Sequence, residues 1–364
     1  KMKIGIFVSA LVNKGGIERV VLELAKYFDA DILTGFYDKE ITFSELSNFN
    51  IKVLKSFDFP KRFKSFFIGR AFSKVSMDYD LVIFIGGGPC LSAAKKNKPN
   101  VWWCCAPPIW MYTTTKEELD RLNPISRIIL KIALPYLKKI DKKNVKDVDE
   151  IISIAENVKT RVKSIYNRES NVIFPFVDTT KFNYVEDGNF FLSAARLTPD
   201  KRVDVIVKAF QKMPDKKLVV SGGGSELNKI KDLAKNYNNI EVLGWVSDDK
   251  LKSLYGCCMA SIATSCCEDF GMVAVESMSA GKPVIAPGDA GFAETIVDGK
   301  TGFLIEPSIE AVVNSVKKLN MDVALSMRDD CEKRAEEFSL KKFINEFDIL
   351  IKGKLNENIK TIKG

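Results

Sequence analysis

The chain has 364 residues, 55 Lys plus Arg against 47 Asp plus Glu, a formal charge of +8, and no histidine. At 46% apolar, 10% aromatic and 28% charged residues it has a globular composition, which excludes disordered and fibrous classes, and its length suits two domains. Without imidazole there is no Ser–His or Cys–His nucleophile pair, no His base and no His-ligated metal. Chemistry falls to carboxylates, Lys, Arg, Cys, hydroxyls and backbone dipoles.

Lys3-Ile4-Gly5-Ile6-Phe7 runs straight into a strand-like segment, so no leader peptide is expected. Short apolar runs then alternate with helix-period stretches, the pattern of parallel strands covered by helices. In the first half, strands are expected at 4–10, 31–34, 81–86 and 101–105, with a helix at 17–28. No uncharged stretch reaches the ~18–20 residues of a membrane-spanning helix. Residues 101–115 come nearest, and Pro107 and Pro108 break them. Turn residues around Phe174-Pro175-Phe176-Val177-Asp178 and at 183–189 mark a boundary, which makes 1–178 the first domain.

The second half restarts the pattern with strands at 190–194, 217–221, 240–243, 260–263 and 283–286. Helices are expected between them at 203–212, 225–237, 247–256 and 272–280. A long polar helix is expected over 321–352, with a loose tail from 355. The second domain then covers 179–335, and 336–364 is a C-terminal helix returning to the first. The fold class is α/β: two Rossmann-like, doubly wound parallel-sheet domains facing across a cleft, with ligands at the carboxyl ends of the strands.

The charge is unevenly placed: 29 basic and 20 acidic residues in 1–178, against 26 and 27 in 179–364. The basic excess concentrates at 59–74 and 127–146, where Lys and Arg interleave with Phe or Ile. That mixture suits peripheral contact with an anionic membrane, or equally an amphipathic helix with a solvated charged face. No nucleic-acid motif accompanies it, so nucleic acid is not an expected partner. The cysteines are Cys90, Cys331 and the doublets Cys104-Cys105, Cys257-Cys258 and Cys266-Cys267. No C-x-x-C occurs, so reduced thiols acting as small apolar residues in a cytoplasmic protein are expected, with no metal site.

Three stretches carry chemistry. Gly15-Gly16-Ile17-Glu18 opens a helix, where bare backbone N–H groups can receive an anion, although glycine pairs also mark plain turns. Arg196 and Lys201 sit on a short strand-to-helix loop, where two cations can neutralise a diphosphate without a metal. Surface salt bridges to Asp200 and Asp204 are the plainer reading. Glu268 precedes a helix that Gly271 opens and Glu276 lies on, which suits carboxylates that grip hydroxyls at two depths of one ligand. A hydrolase acid–base pair would also use two carboxylates, but placement at one helix end argues for gripping. No G-x-G-x-x-G follows the first strand, which argues against a dehydrogenase.

With these motifs the chain resembles the retaining sugar-nucleotide-dependent glycosyltransferases of family 4, which have the GT-B fold. The resemblance rests on Gly15-Gly16-x-Glu18, Phe174-Pro175-Phe176-Val177-Asp178-Thr179, residues 195–201, Gly222-Gly223-Gly224-Ser225-Glu226, Gly244-Trp245-Val246, Glu268-x7-Glu276 and Asp298-Gly299-x-Thr301-Gly302-Phe303. It implies that Arg196 and Lys201 grip the donor diphosphate and that Glu268 holds the transferred sugar. The backbone of Phe270, Gly271 and Met272 would approach its hydroxyls and the phosphates. Glu276 would bind ribose, and the base would lie near Trp245, Val246 and Leu251. Gly222 would line the donor site, with Gly15 and Gly16 closing the phosphate site from the first domain.

The Glu-Asp-Phe-Gly form looks most like a mannosyltransferase-like branch acting on lipid-linked or envelope glycans. That implies GDP-mannose more than a UDP-sugar as donor, and no other cofactor. Such relatives carry a His near the reacting sugar; here Trp103-Cys104-Cys105-Ala106-Pro107 puts Cys105 in that place. Cys cannot replace imidazole as a donor and acceptor of the same reach. The alternatives are a sugar-nucleotide-binding protein with impaired turnover, or a sugar-nucleotide epimerase.

Overall fold

A computed structural model describes residues 2–54, 64–120, 122–186 and 188–363, with backbone alone for 64–66, 117, 118 and 355–363. Residues 59–63 of the basic segment 59–74 therefore lie outside the described residues. The chain divides into one unit of Lys1–Pro175 with Ile344–Gly364 and another of Phe176–Phe343.

The first unit holds a parallel sheet of β1 (Ile4–Val8), β2 (Asp31–Thr34), β3 (Ile51–Val53), β4 (Leu81–Gly86), β5 (Asn100–Cys104), β6 (Glu150–Ser153) and β7 (Asn171–Val172). Its order is β3-β2-β1-β4-β5-β6-β7. The central strands β1, β4 and β5 are buried along their whole length. That burial on both faces is why they read in the sequence as continuous apolar runs and not as alternation. The sequence reading missed β3 and β7, which are short and largely exposed and leave little apolar signal, and also β6, which is buried over Ile151–Ser153.

The second unit repeats the plan with β8 (Phe190–Ala194), β9 (Lys217–Ser221), β10 (Ile240–Gly244), β11 (Ala260–Ile262), β12 (Val284–Pro287) and β13 (Gly302–Ile305). Its order is β10-β9-β8-β11-β12-β13, again parallel throughout. The core joins Phe191, Leu218 and Val220 of the strands to Ile206, Val207 and Phe210 of the helix Val203–Gln211. In each sheet the strand order reverses beside the first strand, between β1 and β4 and between β8 and β11. Such a switch point opens a crevice at the carboxyl ends of the strands.

The long helix expected over 321–352 is three helices: Met321–Ser326, Arg328–Glu336 and Leu340–Lys363. A tertiary contact makes the second break: Val177 N–H donates to Phe338 O at 3.0 Å, and Val177 bridges Ser339. The third helix continues to Lys363, through the stretch expected as loose.

Candidate active site

The loop after β8 is fastened to the loop after β11. Cys266 N–H donates to Asp200 O at 3.2 Å, and Thr264 Oγ1 donates to Arg202 O at 2.9 Å. Arg202 has a left-handed backbone, φ +50, unusual for a side-chain-bearing residue. The Thr264 hydroxyl on its carbonyl helps to hold that turn. The chain is thereby bent so that Lys201 points toward β11, where its Nζ lies 2.5 Å from Glu268 Oε2. Ser265 Oγ donates to the same carboxylate oxygen at 3.0 Å. Lys201 and Glu268 are both half-buried, so their charges are screened less than those of a fully exposed pair.

Arg196 lies on the same loop, is exposed, and meets no carboxylate among the described residues. The alternative expectation for this loop, salt bridging to Asp200 and Asp204, is not what forms: Asp204 pairs with Lys208 at 2.8 Å. Glu276 lies on the helix Met272–Ser279, where the hydroxyl of fully buried Tyr255 donates to its Oε2 at 3.1 Å. Burial and then that carboxylate hold the Tyr255 phenol protonated far above its ordinary range.

Glycines fix the remaining surfaces. Gly222 has φ +135, and a Cβ there would collide with Ala195 O; Gly222 N–H donates to Gly244 O at 2.8 Å. A Cβ on Gly223 would strike the Trp245 indole, whose ring is 77% exposed. Val246 and Leu251 are half-buried nearby in sequence. Gly271 has φ +86 and would bring a Cβ to 2.7 Å from the Phe292 ring. Phe270 is buried, while Met272 is half-buried at the start of its helix.

In the first unit, Gly15 precedes the helix Gly16–Phe28 after β1. A Cβ on Gly15 would sit 2.9 Å from Glu18 Oε2. A buried carboxylate thus already lies against this helix start, where the dipole favours it. Cys105 follows β5 directly and is half-buried. Burial raises the thiols of Cys90 to about 11 and of Cys258 to about 12, which leaves both unreactive. Among the described residues no group of three Cys, Asp or Glu side chains could hold a metal ion. No helix among them is long and apolar enough to cross a membrane.

The sequence reading missed Ser265, Tyr255 and Gly291. A Cβ on Gly291 would collide with the backbone of Phe270, and Gly291 N–H donates to Glu268 O at 2.7 Å. Polar residues at strand ends and a glycine beside a short helix are the signals that were available.

Residues 178–338, which carry all of this second-unit geometry, match the family described as "Glycosyl transferases group 1". Over these residues the chain is similar to the group 1 glycosyl transferases. The chain is 32% identical over 160 residues to a glycosyltransferase of Methanocaldococcus jannaschii, 43% of this chain and 45% of that one. It is 29% identical over 232 residues to the alpha-1,3/1,6-mannosyltransferase ALG2 of Dictyostelium discoideum, 56% of this chain and 54% of that one. It thus spans about half the length of these curated relatives. In fold it is similar to the lipopolysaccharide outer core galactosyltransferase WaaB, with a TM-score of 0.73 at 18% identity, over 97% of this chain and 100% of that one. Its two parallel-sheet units are thus those of a GT-B fold.

Proposed function

We propose that this protein is a metal-independent retaining glycosyltransferase. It moves a hexose, with mannose favoured, from a nucleotide-diphosphate sugar to a lipid-linked or glycan acceptor at the cytoplasmic side of a membrane. The observation that carries the reading is Lys201 joined to Glu268 at 2.5 Å beside the exposed guanidinium of Arg196. The similarity to a mannosyltransferase, ALG2, supports the choice of sugar.

In this reading the diphosphate lies on Arg196 and Lys201. As the sugar–oxygen bond breaks, negative charge grows on the departing phosphate, and these cations stabilise it where it develops. The Lys201 ammonium has three donors; one is committed to Glu268 and two remain for phosphate oxygens. Glu268, aligned by Ser265, accepts from the hydroxyls of the transferred sugar. Glu276, aligned by Tyr255, accepts from the ribose, and the base lies along Trp245, Val246 and Leu251.

Lys201→Ala and Glu268→Ala are each expected to lower transfer at least about 100-fold with unchanged thermal unfolding. Full activity in either variant overturns the assignment. A second reading, a sugar-nucleotide-binding protein without turnover, is favoured by Cys105 standing where the family's His is expected. Under it, calorimetry finds donor binding without product, and Cys105→His restores transfer.

A further inference from the structure

The long helix of the first unit, Pro124–Lys146, turns an apolar face to solvent. Ile125, Ile128, Ile129, Ile132 and Tyr136 on it are each 58% to 76% exposed. Their spacing of three and four residues puts all five on one narrow arc of the helix. The opposite side is the one that holds the helix to its domain. There Asp141 accepts from Tyr112 OH at 2.8 Å and Tyr166 OH at 2.7 Å, and Val145 is buried. The stripe is therefore not the edge of a core face; it lies on the far side of the helix. Single exposed apolar residues are ordinary, but a stripe of five large ones marks a contact surface.

Charge decides what the surface fits. Lys131, Lys139, Lys142, Lys143 and Lys146 are exposed on the same helix. No Asp or Glu occurs from 122 to 140, and the carboxylate of Asp141 is engaged by two tyrosines on the inner side. A second copy of this chain, docked about a two-fold axis, would bring lysines to lysines with no carboxylate between them. An anionic lipid interface offers both complements at once: acyl chains for the isoleucines and phosphates for the lysines.

We infer that this face of Pro124–Lys146 lies on an anionic bilayer, with Ile125, Ile128, Ile129, Ile132 and Tyr136 in the headgroup boundary and the lysines on lipid phosphates. The inference extends the acceptor half of the proposed function, since a lipid-linked acceptor would be met at such a surface. Its readout is lipid binding and not transfer.

The full chain is sedimented with phosphatidylcholine vesicles with and without phosphatidylglycerol. It is expected to bind only the anionic vesicles, more weakly as salt is raised. Ile128→Glu with Ile132→Glu is expected to reduce binding at least about tenfold with unchanged circular dichroism. Ile132→Ser alone gives a smaller loss should the double variant fold poorly. Lys139→Glu with Lys143→Glu is expected to erase the preference for phosphatidylglycerol. Equal binding to both vesicle types, no binding, or isoleucine variants that bind like the parent overturn the inference. So does a lipid-independent dimer that the isoleucine variants convert to monomer. A chain that ignores vesicles but glycosylates a soluble acceptor sinks the surface and spares the function; one that binds vesicles but transfers nothing does the reverse.

Discussion

Phenols hold carboxylates at several places in this histidine-free chain. Tyr79 OH donates to Asp31 at 3.1 Å, Tyr112 and Tyr166 to Asp141, and Tyr255 to Glu276. Burial, and next the neighbouring carboxylate, raises all four phenols above their usual range. A group whose folded value exceeds its unfolded value contributes fully below the unfolded value and loses that contribution as pH rises beyond it. Four of the nine tyrosines are therefore expected to stay silent in tyrosinate absorbance at a pH that ionises all of them in the unfolded chain. Asp141 follows the same rule at lower pH: burial raises its carboxyl, so stability falls as pH rises through the ordinary carboxylate range. Asp141→Asn should flatten that dependence in urea unfolding followed across acid and neutral pH. Tyr255→Phe removes one donor from Glu276 and should cost about 1 kcal/mol, read as a rise in donor KM with kcat less affected.

At the scale of elements, glycines set how closely the site loops approach. Gly222 has both a left-handed backbone and Ala195 O in the space of a Cβ. Gly222→Ala should cost about 2 kcal/mol or more and displace the Arg196 loop, seen in urea unfolding and as weakened nucleotide binding. Gly291→Ala should push the Glu268–Phe270 turn off the helix Ala290–Thr295. Its expected result is a loss of donor binding larger than its loss of stability, measured by calorimetry beside thermal unfolding. The elements themselves were legible where most of a strand is buried and apolar: strands 31–34, 81–86, 190–194 and 217–221 coincide with β2, β4, β8 and β9. β13 and the splitting of the last helix were not, because a half-exposed strand and a break made by Val177 leave no local periodicity.

Across the whole molecule, the two units differ in how the chain builds them. Residues 176–343 form theirs from one continuous stretch, whereas the first unit needs Ile344–Gly364 added to Lys1–Pro175. Phe347 and Ile351 in that returning segment are fully buried, and Lys354 pairs with Glu150 at 3.3 Å. Losing a buried Phe alone typically costs about 3–5 kcal/mol. Deleting 344–364 should therefore abolish soluble folding or lower the unfolding temperature steeply, assayed by expression and thermal unfolding. A nucleoside diphosphate at about 100 times its Kd should stabilise the intact chain by about 2.7 kcal/mol. A thermal shift with GDP or UDP checks this, and no shift with either would count against the proposed donor site.

Sequence by itself determined the repeated α/β plan, the glycosyltransferase-like motifs and the absence of imidazole chemistry, because continuous apolar runs and glycine-bounded turns are local signals. It also placed the basic excess in the first half of the chain. Tertiary structure decided which charges meet. Lys201 and Glu268 are 67 residues apart and come together because β8 pairs with β11. It decided, too, that the isoleucines of 125–132 face outward: periodicity shows that they share a helix face, but only packing shows that the buried face is the other one.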